Sequence, residues 1–153
     1  MKQNTFRDLD AYKAGKVLIK EVYRLLKKFP KEEQYAMCDQ LRRAVISITS
    51  NIAEGSGRNS NKEKVRFLEI SYGSLMEVLS QMDVACDLGY ITNVEFNNIE
   101  AMVESVGRPL SGLKTYFDRK VSGERLEVRD NSLTDSNPFA QTSDRGDSLT
   151  SNP

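Results

Sequence analysis

The sequence predicts an all-α fold, an antiparallel up-down-up-down four-helix bundle followed by a disordered polar tail, and three observations predict it. Apolar residues recur at steps of three and four in four successive segments, the spacing that places them on one face of a helix. Residues that start and stop helices fall between those segments. Beyond Lys120 the periodicity ends and Ser, Asn, Asp, Thr and Gly take over, with too few large apolar residues to bury a core. The expected division is a bundle over 1–120 and a low-complexity tail over 121–153.

The first helix is expected to begin at Asp8 or Asp10, either of which suits a helix N-terminus, and to end before Pro30. Its stripe reads Leu9, Tyr12, Ile19, Val22, Tyr23 and Leu26, interrupted at Lys16. The second is expected from about Glu32 to Ala53, with Cys38, Leu41, Val45, Ile48 and Ile52 as a seam. The third starts at a capping box of Ser60 and Glu63, carries Leu68, Tyr72, Leu75, Leu79, Met82 and Cys86, and stops at Gly89. The fourth starts at Thr92 with Glu95 completing a second capping box, then presents Phe96, Ile99, Val103, Val106, Leu110, Leu113 and Phe117. Pro109 removes one backbone hydrogen bond and crowds the carbonyl of Ser105, so a kink or local break is expected there.

Composition excludes several classes of function. The chain has no histidine, which removes the usual general base, the triad partner and the commonest zinc and iron ligand. The longest uncharged stretch, Ala44 to Ala53, is too short to span a bilayer, and Met1 to Phe6 lacks the apolar core of a signal peptide, so a cytoplasmic protein without membrane contact is expected. Cys38 and Cys86 read as small hydrophobes rather than a disulfide. Net charge is zero, yet residues 1–75 carry 15 Lys and Arg against 9 Asp and Glu, so the first helical pair is basic.

Few groupings suggest chemistry. Asp83 and Asp87 share a helix face but are read as solvated rather than metal-binding, and no metal or cofactor is expected. Glu54-Gly55-Ser56-Gly57-Arg58 lacks the Walker spacing and follows a helix, so it reads as a turn with Gly55 or Gly57 at positive φ. Asn51 and Glu54 are expected to bond backbone or arginine groups at the helix end. Arg42, Arg43, Arg58, Lys62, Lys64 and Arg66 together suggest one basic surface able to neutralise the phosphates of RNA or DNA. The alternative is a solvated face, or pairing of Arg43 with Glu54 or Glu77. The tripeptide Asn137-Pro138-Phe139 and the tail repeat carry no functional reading.

Several of these residues also match a known pattern. Gln40-Leu41-Arg42-Arg43-Ala44, Ser47-Ile48 and Asn51 through Arg58 resemble the 23S rRNA intervening-sequence proteins. So do Phe29-Pro30 with Glu33 and Tyr35, Gly73-Ser74-Leu75 with Glu77, and Leu88-Gly89-Tyr90-Ile91, covering residues 6 to 118. The resemblance implies a bacterial homopentamer of four-helix bundles with no catalytic residues. A related branch, the accessory proteins of diversity-generating retroelements, looks like basic pentamers that bind a reverse transcriptase and nucleic acid. Pro109 and the tail depart from the pattern.

The expectation is therefore a non-catalytic homo-oligomeric bundle, associated with RNA or ribosomes through Arg42, Arg43, Arg58, Lys62 and Arg66, with Asn51, Glu54, Gly55 and Gly57 as a structural motif. The alternative is a protein–protein adaptor, for example for a reverse transcriptase, with no direct nucleic acid role.

Overall fold

A computed structural model describes residues 5–123, and among them four helices form a bundle with no strand. The expected tail lies outside the described residues from position 124 onward, as do its repeat and Asn137-Pro138-Phe139.

Helix α1 spans Asp10–Leu26, α2 Met37–Ser56, α3 Asn61–Asp87 and α4 Asn93–Val121. Each packs against the next, and α1 also packs against α4, closing a four-sided bundle. Contacts between α2 and α3 run in opposite directions along the two helices: Gln40 meets Gln81 at 3.3 Å, Ser47 meets Ser74 at 2.9 Å, and Ser71 Oγ donates to the Ile48 carbonyl at 2.8 Å. Helices α3 and α4 behave likewise, with Glu69 near Lys114 and Lys64 over the Phe117 ring. The end of α1 meets the start of α4 through Lys28 and Glu95, 2.7 Å apart. These pairings give the expected antiparallel order.

The core differs from the predicted stripes in phase. On α2 the predicted seam is buried throughout, and on α4 it is buried from Ile99 to Phe117 with Phe96 half-buried. On α1 the inner row is Ala11, Gly15, Leu18, Val22 and Leu25, while Tyr23 is exposed and Tyr12 and Ile19 are half-buried. Lys16 therefore flanks the stripe rather than interrupting it. On α3 the inner row is Leu68, Ser71, Leu75, Val78, Met82 and Ala85, with Tyr72 exposed and Leu79 and Cys86 at the margin. Both cysteines are free.

The helix ends also correct several expectations. Asp8 belongs to a 3-10 turn, Phe6–Asp8, in which it and Thr5 cap each other, and α1 starts after Leu9 with no side-chain cap. Glu32 lies in another 3-10 turn, Lys31–Glu33, so α2 starts later than expected and extends past Ala53 to Ser56. Ser60 caps α3 by accepting from the Glu63 amide at 3.3 Å, without the reciprocal bond of a full box. Thr92 and Glu95 do form the full box on α4.

Gly89, at φ +76°, ends the α3 region as a Schellman turn, in which the Tyr90 amide donates to the Ala85 carbonyl and the Gly89 amide to that of Cys86. Tyr90 then packs on Phe29 and donates to Glu33 at 3.1 Å, joining the two loops at that end. Pro109 does not break α4, which runs uninterrupted from Asn93 to Val121 because Val106, Leu110 and Leu113 around it are held in the core.

Helices α1 and α2 approach closely at Gly15, where a Cβ would lie 2.7 Å from the Thr49 methyl. Gly15→Ala should destabilise the bundle by roughly 1–3 kcal/mol through overpacking. Gly73, helical with open space around it, provides the opposite sign. Gly73→Ala should gain about 1 kcal/mol of helix propensity in urea titrations of the same chain.

Glu95 offers a test by pH. The Lys28 ammonium and the Thr92 amide hold its carboxyl down to about 2, from an ordinary 4.5. A carboxyl whose pKa is lower in the folded state stabilises it above its unfolded pKa and ceases to do so as protons bind. The stability difference between the native chain and Glu95→Gln should be largest at neutral pH and close as pH falls from 4.5 towards 2.

Candidate nucleic-acid interface

The cations predicted to form one surface divide into two groups along α2. Arg42 and Arg43 lie in its first half, and Arg58 follows its C-terminus. The 15 residues from Arg43 to Arg58 correspond to ~22 Å along a helix.

Arg42 is occupied. Its guanidinium donates to the Asp39 carboxylate at 3.1 Å and to the side chain of Gln34 at 3.0 Å, which ties α2 to the segment before it. Arg43 is exposed and does not pair with Glu54. It lines a shallow polar groove between α2 and α3 with Gln40, Ala44, Ser47, Ser74 and Glu77.

The second group is more compact. Gly57 closes α2 with φ −84°, so neither Gly55 nor Gly57 takes the positive φ expected of them. Gly55 is instead a helical residue pressed against α3, where a Cβ would sit 3.0 Å from that of Phe67. Asn51 donates to the Ser47 carbonyl at 2.7 Å, and Glu54 holds Arg58 at 2.5 Å. The Arg58 guanidinium also lies 4.7 Å from the centre of the Phe67 ring. Lys62 and Arg66, four apart on α3, are both exposed and make no ion pair with a described residue.

Lys64 does not join this surface. It is 8% exposed, its ammonium donates to the Arg58 carbonyl, and burial pushes its pKa down. It serves to close the α2–α3 turn. Arg58, Lys62 and Arg66 are thus left around the N-terminal turn of α3, where the helix dipole adds a positive field.

The arginine cluster draws the eye from a second basic face on α1, where Lys13, Lys16, Lys20 and Lys27 are all exposed. Their spacing of three, four and seven is the signal that reveals it.

Among the described residues, no group of three or more Cys, Asp or Glu is placed to hold a metal ion, and Asp83 and Asp87 are exposed. No described helix is long and apolar enough to cross a membrane. A family profile described as 23S rRNA-intervening sequence protein matches residues 7–112, from the first 3-10 turn to the middle of α4. No curated protein matches the chain.

Proposed function

We propose, from the premise that the chain belongs to the 23S rRNA-intervening sequence protein family, that it is a non-catalytic cytoplasmic protein that associates with RNA by charge. The observation that carries this reading is the grouping of Arg58, Lys62 and Arg66 around the start of α3. Two of these cations make no ion pair with a described residue, and the third, Arg58, is ion-paired to Glu54 beside the Phe67 ring, so the free charge comes from Lys62 and Arg66. Such a group suits phosphate oxygens and reads no base sequence. Arg43 extends the charge along α2, while Arg42 contributes through packing rather than contact.

The protein acts as a homo-oligomer, a pentamer on the family resemblance. Supporting this, α3 leaves Ile70, Tyr72, Met76 and Val84 substantially exposed, between 36% and 45%. Another copy would remove that apolar area from water. The competing reading, an adaptor that docks a different protein on α3, draws on the same observation.

Light scattering followed by titration of a fluorescent structured RNA tests both readings. The expected result is an oligomer whose RNA affinity falls as salt rises. Arg58→Glu combined with Arg66→Glu should reduce the slope of log affinity against log salt by roughly 0.9 for each duplex phosphate that is no longer neutralised. An oligomer that ignores RNA even at ~50 mM salt would overturn the RNA reading and leave the adaptor.

A further inference from the structure

We infer that the outer face of α1 is a track for single-stranded nucleic acid, in which lysines hold the phosphates and Tyr23 stacks against a base. The inference rests on the RNA-binding reading above but uses a different face and different residues.

The face follows from how α1 packs. With Ala11, Gly15, Leu18, Val22 and Leu25 turned inward, Lys13, Lys20 and Lys27 fall on the opposite side and Lys16 on its flank. From Lys13 to Lys27 the row covers ~21 Å of helix. None of the four lysines makes an ion pair with a described residue.

Several nearby carboxylates are already engaged, whereas Asp10 and Glu32 are exposed and make no ion pair with the row. Glu21, on the same helix, is held by Arg24 through bonds of 3.0 and 2.6 Å. On neighbouring segments, Asp39 holds Arg42, Glu95 holds Lys28, and Glu33 accepts from Tyr90. No carboxylate among the described residues is ion-paired to the lysine row.

Two features select the ligand. The cations without ion pairs are lysines, point charges on flexible stems that can follow a repeating phosphate backbone without a fixed bonding geometry. Aromatic rings also interleave with them. The Lys16 ammonium sits 5.4 Å from the centre of the Tyr12 ring, and Tyr23, between Lys20 and Lys27, is 41% exposed with no hydrogen bond to a described residue. An exposed ring among phosphate-binding cations offers a stacking platform that only an unstacked base can use. A duplex keeps its bases stacked inside and gains only the charge.

The test uses the full chain, a fluorescent 20-nucleotide oligouridylate, its deoxy counterpart and a duplex of equal length. The expected result is tighter binding of both single strands than of the duplex. Changing Lys13, Lys16, Lys20 and Lys27 together to Gln should lower the single-strand salt slope by roughly 0.7 for each phosphate released from a lysine. Tyr23→Ala should weaken single-strand binding about ten-fold, and Tyr23→Phe should restore it. Circular dichroism confirms that each variant folds. Unchanged single-strand affinity and slope in the four-lysine variant would overturn the α1 track, and if Arg58→Glu with Arg66→Glu still weakens binding, the RNA-binding reading survives. Equal binding of duplex and single strand with Tyr23→Ala silent would overturn the stacking role. A native chain that binds none of the three probes at ~50 mM salt would overturn both readings.

Discussion

The close antiparallel contact of α2 with α3 is the constraint on which the rest of the bundle depends. Small or short side chains line it: Ala44 and Ser47 on one side, Ser71 and Ser74 on the other, and Gly55 against Phe67 near the turn. Such residues let two backbones approach, and Ser71 uses the proximity to reach the Ile48 carbonyl across the interface. A hydroxyl completely buried without a partner would cost about 1–3 kcal/mol, so this bond also fixes the register of the pair. Once α2 and α3 are in register, Gly15 brings α1 onto α2, and the Thr92 cap with Lys28 and Glu95 brings α4 back against α1.

That constraint also decides which cations remain available. Closing the α2–α3 turn consumes Lys64, whose ammonium is needed at the Arg58 carbonyl, and orients Arg58 through Glu54 and Phe67. Fixing the start of α2 consumes Arg42 through Asp39 and Gln34. Residues that look alike as positive charge in the sequence thus separate into those that build the bundle and those left facing water. Lys62, Arg66 and the lysines of α1 belong to the second kind.

Helix number and the ends marked by Ser60, Gly89 and Thr92 were legible because those residues act within a few positions of themselves, whereas the starts of α1 and α2 follow 3-10 turns that the local signals Asp8 and Glu32 did not reveal. The α2 seam was legible because its inner residues are also its large apolar ones. On α1 and α3 the large residues Tyr12, Tyr23, Tyr72 and Leu79 drew the stripe to the margins, whereas Gly15, Ser71 and Ala85 occupy the interior. Hydrophobicity signals size, and close helix packing calls for smallness at the point of contact. The roles of Arg42 and Lys64 were not legible, since each depends on a carbonyl or carboxylate brought near by the folded chain. The lysine spacing of α1 was open to view but carried no meaning until the inner face of that helix was known.

The division between packing residues and free ones limits what family membership conveys about function. The stretch from Asn51 to Gly57 is largely taken up by architecture: Asn51 bonds Ser47, Gly55 admits Phe67, and Glu54 orients the Arg58 that follows. Those residues help to hold the α2–α3 pair. Exposed cations that the packing does not need lie mostly elsewhere, on the outer face of α1 and at the start of α3. Such positions can change charge at little cost to stability, because surface substitutions away from caps and buried networks usually stay within about 0.5 kcal/mol. Charge and aromatic character can therefore vary at exposed positions such as Lys20 and Tyr23 without disturbing the motif or the fold.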